Sequence, residues 1–157
     1  MERYSKIIST CCYVKDGGKI LFLHRAKREG LNNRKFYRGL GGKAEQGESP
    51  IECVKREVKE EAGIEINPVW KGVLTISKPL SNDWEAHIFI AEGFEGELML
   101  KSPEGELIWI DGVEAHNLEM PEGDKKLFHL LFKDGKFHAH AKYDDYKNLV
   151  DLQIEEL

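Results

Sequence analysis

Apolar positions along the chain change their spacing from two to nearly four and back again, and polar, glycine-bearing breaks separate the runs. Residues 7–14 and 19–24 are apolar stretches joined by Asp16, Gly17 and Gly18, which predicts a hairpin. A polar stretch over 26–38 leads into Leu40, Gly41 and Gly42. Residues 69–76 and 84–91 predict two more strands around a turn at Ser81, Asn82 and Asp83, and 107–110 predicts a short one. Residues 124–132 predict a helix with Leu127, Phe128, Leu130 and Leu131 turned inward, followed by the Asp134-Gly135 turn and a strand over Phe137–Tyr143.

One helix is announced by its ends. Ser49 suits an N-cap, Pro50 the first helical position and Glu52 the third residue of a capping box, while Gly63 marks the stop. Ile51, Val54, Val58 and Ala62 form an apolar stripe to bury. Beside that stripe, Glu57, Glu60 and Glu61 are spaced three and four apart, so a helix brings them to one face. Like charges at such spacing cost about 0.2 to 0.5 kcal/mol per pair, a cost that a bound hard cation reverses. Gly39, Gly41, Gly42 and Gly47 precede the helix and allow a tight loop that approaches a phosphate or turns a carbonyl toward a metal.

Gly42, Glu48, Arg56, Glu57, Val58, Glu60, Glu61, Gly63 and Ile64 match every fixed position of the Nudix box, G-x5-E-x7-R-E-U-x-E-E-x-G-U with U apolar. At residue frequencies of roughly five to seven per cent, chance gives such a match on the order of once in a billion starting points, which sets aside a merely solvated acidic helix. The chain thus resembles the Nudix hydrolase family. The order of strands and helices fits a mixed sheet covered by helices, an α/β protein, and the resemblance implies the Nudix α/β/α sandwich. At 157 residues, one domain spanning 1–157 is expected.

The family likeness also implies site roles. Glu57, Glu60, Glu61 and the Gly41 carbonyl would hold a divalent cation, with Glu104 from a later loop joining them or accepting a proton from water, and Glu106 its competitor. Oxygen ligands of this kind suit Mg2+, with Mn2+ as the alternative. Glu48 and Arg56 would brace the glycine loop against the helix. Arg25 and Lys43 would contact phosphate beside Gly42, the alternative for Arg25 being a surface strand-end arginine. His138 and His140 share a strand face but lack an evident third ligand, so ordinary strand histidines are the expectation rather than a zinc site.

The implied substrate is a nucleoside triphosphate or another nucleoside diphosphate derivative. The Trp109 strand, Met120-Pro121-Glu122-Gly123-Asp124 and the closing Phe137-His138 strand resemble the branch that hydrolyses oxidised purine nucleotides such as 8-oxo-dGTP, with Glu122 and Asp124 accepting from the base. Asp124 is equally a candidate N-cap of its helix. Arg38 departs from that branch, which carries asparagine there. Arg38 can stack on the base or bind phosphate, and Thr10, Phe36 and Tyr37 can line its pocket, loop packing being the other reading of the two aromatics. The polar insertion Asn32-Asn33-Arg34-Lys35 adds a further variable. Another dNTP or a nucleotide sugar is the alternative substrate, and a nucleotide-binding regulator without turnover is the alternative class.

Composition narrows the setting. Hydrophobic residues make up 41% and charged residues 32%, with no apolar run of membrane-spanning length. The opening residues lack a signal-peptide pattern, so a cytoplasmic protein is expected. A net charge of -5 from 23 basic and 28 acidic residues argues against a nucleic-acid polymer as partner. Oligomeric state has no mark in the sequence. Cys11, Cys12 and Cys53 suggest no disulfide framework, and Cys53 reads as a packing residue of the box helix.

Overall fold

The computed structural model describes residues 5–29 and 34–157. Asn32 and Asn33 of the polar insertion lie outside the described residues. Among the described residues nine strands occur: β1 (Lys6–Asp16), β2 (Lys19–Arg25), β3 (Tyr37–Arg38), β4 (Val69–Ser77), β5 (Asp83–Glu92), β6 (Lys101–Ser102), β7 (Gly105–Asp111), β8 (Phe137–Tyr143) and β9 (Leu149–Glu156). The helices are α1 (Pro50–Ala62) and α2 (Glu122–Leu127), the latter continued by a 3-10 turn over Phe128–Phe132. The strands form one sheet in the order β6-β7-β2-β1-β5-β4-β8-β9, with β3 also on β2. It is mixed, because β1 with β5 and β4 with β8 run parallel while the other pairs are antiparallel.

Successive residues of the central strands are buried on opposite faces, as a sheet covered on both sides requires. Val54, Val58 and Ala62 of α1 pack with Cys12, Leu21 and Phe89. Their neighbours Tyr13, Phe22 and Ile88 meet Leu127, Phe128, Leu130 and Leu131 on the other face. The result is the expected α/β/α sandwich. Ile51 departs from the predicted stripe: it is 46% exposed, and Cys53 is buried in its stead. The first turn of α1 overhangs the sheet, so the face that meets the core begins at Cys53.

The ends of α1 follow the sequence signals. Ser49 Oγ accepts from the Glu52 amide, the Glu52 carboxylate accepts from the Ser49 amide, and Gly63 closes the helix in the left-handed conformation at φ 74°. The second helix starts earlier than expected, and this corrects one reading of Asp124. Pro121 occupies the cap position with no side-chain bond, and Asp124 sits inside the first turn. The Gly123 amide is instead satisfied by Tyr143 Oη at 2.9 Å. The polar stretch 26–38 contains β3, which pairs with Leu23 and His24.

Strand β9 has no counterpart in the sequence expectation. It pairs with β8 at the sheet edge, where Val150, Ile154 and most of its other residues stay exposed. Only Leu149 and Leu152 lean on the core, three residues apart across a register shift, so no period-two alternation marks the strand. No helix of the described residues is long and apolar enough to cross a membrane.

Because the capping box satisfies two amides of α1, Ser49→Ala is expected to lower unfolding free energy by about 0.5 to 2 kcal/mol. Urea denaturation of the metal-free protein checks this, and an unchanged midpoint would show that the cap adds nothing here.

Candidate active site

The glycine loop lies along β1 because its backbone is hydrogen-bonded there. Cys12 and Leu40 exchange two bonds at 2.6 and 2.9 Å, the Thr10 amide donates to Gly42 O at 2.9 Å, and the Ala44 amide to Ile8 O at 2.9 Å. The approach leaves no room for side chains. A Cβ on Gly41 would stand 2.1 Å from Thr10 O, and one on Gly42 would stand 2.6 Å from the Glu57 carboxyl carbon. Thr10 Oγ1 lies 3.4 Å from the Gly42 amide and 3.4 Å from Cys53 Sγ. Thr10 does line the cleft, but its hydroxyl is engaged with the loop.

Arg56 ties this loop to α1. Its Nε and Nη2 donate to the two oxygens of Glu48 at 2.7 and 2.9 Å, and Nη2 also donates to Lys43 O at 3.2 Å. Nη1 donates to Glu57 at 3.0 Å and to Glu60 at 3.3 Å. The Arg56 hydrogen bonds, with the Glu45 amide, hold the Glu48 carboxyl far below its ordinary range, at about 2. Glu48 is therefore ionised at any working pH.

The three box carboxylates are not equivalent. Glu60 has 57% of its side chain exposed and leans on Arg56, so it does not share the inner position of the other two. Glu57 is mostly covered, and burial raises its pKa while Arg56 opposes the shift. Glu61 is 5% exposed, and neither of its oxygens has a hydrogen-bond partner. Burial, then the nearby charges of Glu104 and Glu57, push it up to about 8, although the Gly41 amide and Arg25 pull the other way. Glu104 thus belongs to the same acidic cluster and lines the cleft, whereas Glu106 is exposed on β7. No three His, Cys, Asp or Glu side chains among the described residues already converge as a metal cage. Two unpaired buried carboxylate oxygens beside two further carboxylates are nevertheless what a hard divalent cation would satisfy. His140 is occupied with Thr75 Oγ1 at 2.6 Å, and His138 is exposed.

The carboxylates stand at one end of a cleft of about 660 Å3, which also receives Arg25, Arg38, Lys43 and Asp124. The Nε atoms of Arg25 and Arg38 are buried there without a partner. Lys43 Nζ sits 5.4 Å from the centre of the Trp84 ring. Arg38 Nη2 donates to Glu29 at 3.2 Å, and Asp124 also bears on its charge. Asp124 is half-buried, and burial raises its pKa against the pull of Arg38 and Lys78. Glu122 is exposed and lines a side recess together with Phe36, while Tyr37 stacks on His24 at 4.1 Å and takes no part in either wall. Glu29, Lys78 and Trp84 were not singled out in the sequence. The alternation of Ile76 and Lys78 at the end of β4 was the single local hint for one of them. A groove of about 700 Å3 on the outer side of α1 includes Arg56 but none of Gly41, Glu57 or Glu104, all of which line the smaller cleft, so that cleft is the candidate site.

The fold and this acid-ended cleft mark a hydrolase of the Nudix type. The chain belongs to the Nudix family, since the NUDIX domain profile matches residues 6–131. It is 31% identical over 152 residues to YvcI of Bacillus subtilis (strain 168), an uncharacterized Nudix hydrolase, covering 93% of this chain and 92% of that protein. It is 26% identical to the oxidized purine nucleoside triphosphate hydrolase of Danio rerio, covering 98% of this chain and 96% of that one. Among solved structures, the MutT protein of Bacillus halodurans superposes with a TM-score of 0.85 at 33% identity, over 95% of this chain and 97% of that one. Nudix hydrolases act on nucleoside diphosphate derivatives and generally use divalent cations.

The Glu61 shift has a testable sign. Its folded pKa of about 8 lies above the roughly 4.3 of an unfolded glutamate, so the stabilising effect of its proton is complete below the lower value and is lost as pH rises through the upper one. Metal-free Glu61→Gln is expected to exceed the wild type in stability by a few kcal/mol at pH 8.5, with the gap closing toward pH 4.5. Urea denaturation in chelator at the two pH values measures it, and a pH-independent gap would contradict the shift.

Proposed function

We propose that the protein is a Mg2+-dependent nucleoside triphosphate pyrophosphohydrolase that favours oxidised purine nucleotides such as 8-oxo-dGTP, releasing the monophosphate and pyrophosphate. The observation that carries the metal-dependent reading is Glu61, buried with both oxygens unpaired beside Glu57 and Glu104. Glu57, Glu61, the Gly41 carbonyl and Glu60 would hold the cation, Glu60 after releasing Arg56. When bound, such an ion supplies counter-charge to phosphate oxygens and Lewis acidity.

The chain's own groups supply the rest. Glu104 stands near the acidic pair and accepts a proton from the attacking water. Arg25 and Lys43 bind phosphate oxygens from the cleft wall, the buried Arg25 Nε having Glu29 at 3.9 Å but no hydrogen-bond acceptor. Glu48 and Arg56 keep the glycine loop in register with α1, a positioning role. The purine preference is supported by the acidic groups Glu122 and Asp124 near Arg38 and by the Danio rerio relative named for oxidised purine triphosphates. Intact ligands favour turnover over a purely regulatory role.

A nucleotide panel assayed for pyrophosphate with Mg2+ tests the reading. Glu57→Gln and Glu61→Gln are expected to abolish nearly all turnover in folded protein, and Glu48→Gln to lower kcat by less. Undiminished hydrolysis in Glu57→Gln would remove it from the reaction, and a larger loss at Glu48 would make it more than a brace. Glu122→Ala or Asp124→Ala should lower kcat/KM for 8-oxo-dGTP more than for dTTP, by about 10-fold for one lost contact. Equal losses on both substrates would end the purine assignment while leaving the hydrolase.

A further inference from the structure

The cleft adjoins a side recess of about 180 Å3 that shares Glu29, Arg38, Ile76, Lys78 and Asp124 with it but not Glu57 or Glu104. Pockets for whole drug-sized ligands run from about 300 Å3 upward, so the recess takes one ring system and not a complete nucleotide. Phe36, Tyr143 and Tyr146 give it aromatic walls.

Charge narrows the occupant. Of the four cations at the recess, Arg34 is engaged by Glu119 at 3.1 Å, which leaves Arg38, Lys78 and Lys147 against Glu29, Glu122 and Asp124. Three positive groups stand against three negative ones, with Arg25 from the cleft also 3.9 Å from Glu29, so the recess carries little net charge and suits a neutral ring with both donors and acceptors better than a phosphate. The free hydrogen-bonding groups are specific. Arg38 gives one arm to Glu29, but its Nε is buried and unpartnered. Among the described residues, the side chain of half-buried Lys78 makes no hydrogen bond and no ion pair within 4.0 Å, and the Asp124 carboxylate makes none either. Burial and the neighbouring Lys147 and Arg38 lower the Lys78 pKa, the mark of an ammonium lacking a close acceptor.

We propose that Lys78 is a specificity-determining residue that donates to a ring carbonyl in this recess while Asp124 accepts the adjacent ring N–H, so that the site selects 6-oxo purines over 6-amino purines. The proposal rests on the nucleotide reading above and deepens it. A 6-oxo purine offers an acceptor at C6 and a donor at N1. Adenine reverses both, turning its amino group toward an ammonium and its bare N1 toward a carboxylate, and a site built around hydrogen bonds rejects such an analogue through the groups left unpaired. Hypoxanthine is the discriminating base, since it differs from adenine at this edge alone.

Two measurements test it. Calorimetry of wild-type protein with IMP and with AMP, in chelator, is expected to give at least about 10-fold tighter binding of IMP. The kcat/KM ratio of ITP over ATP is expected to favour ITP and to fall by about 10-fold in Lys78→Met. Equal binding of the two monophosphates overturns the proposal, and so does an unchanged ITP/ATP ratio in a folded Lys78→Met variant. If no nucleotide is hydrolysed yet IMP is preferred, the hydrolytic reading fails and the base recognition stands. If nucleotides are hydrolysed without preference between ITP and ATP, the outcome is reversed.

Discussion

One guanidinium holds the site together. Arg56 lies within 4.0 Å of the carboxylates of Glu45, Glu48, Glu57 and Glu60, and it also reaches the backbone of the glycine loop at Lys43. Without it, α1 would present crowded anions to one another, and the loop would keep its bonds to β1 but only the weak Cys53 Sγ contact with Gly42 O to α1. The two-pronged bond to Glu48 is the strongest part of this arrangement, because both partners are charged and the fork geometry fits a carboxylate. Its cost is that Glu57 and Glu60 are partly committed to Arg56 before any cation arrives.

Glu61 is the complement of that arrangement. It lies on the inner side of α1 where no cation of the chain comes within hydrogen-bonding reach, so burial and the charges of Glu104 and Glu57 dominate its titration. The loop before α1 thus carries one carboxyl held at about 2, and the helix itself another pushed up to about 8. The difference is one of partners: Glu48 is held by two Arg56 hydrogen bonds and a backbone amide, whereas for Glu61 the pull of the Gly41 amide and of Arg25 is outweighed by burial and by the charges of Glu104 and Glu57. Groups left this far from satisfaction in a folded protein mark where a ligand completes the structure.

The cleft carries opposite needs at its two ends. Near α1 it has carboxylates in excess, suited to cations and, through them, to phosphates. Toward the recess it has paired and unpaired charges in balance, suited to a neutral ring. Parallel pairing of β1 with β5 makes this possible, since it brings Thr10 and Cys11 beside His87 and Ile88 and sets the glycine loop across from the end of β4. The loop's own bonds to β1 then fix the distance between the ends.

The local sequence determined α1 down to its caps, because Ser49, Glu52 and Gly63 act within a turn of where they stand, and it determined the central strands because both of their faces are buried and their residues are mostly apolar. The box residues were legible for the same reason: Glu57 and Glu61 are neighbours on any helix. Tertiary structure alone decided what distinguishes them, since the exposure of Glu60, the isolation of Glu61 and the burial of Cys53 in place of Ile51 depend on what the sheet puts opposite each position. It also decided β9, an edge strand that turns only Leu149 and Leu152 to the core, and the start of α2, where Tyr143 from a distant strand satisfies the amide that a local cap would have taken. Lys78, Glu29 and Asp124 come from three separate segments, and no spacing along the chain relates them. Their meeting at one recess is a property of the folded sheet, because only there do their charges share a solvent-poor space.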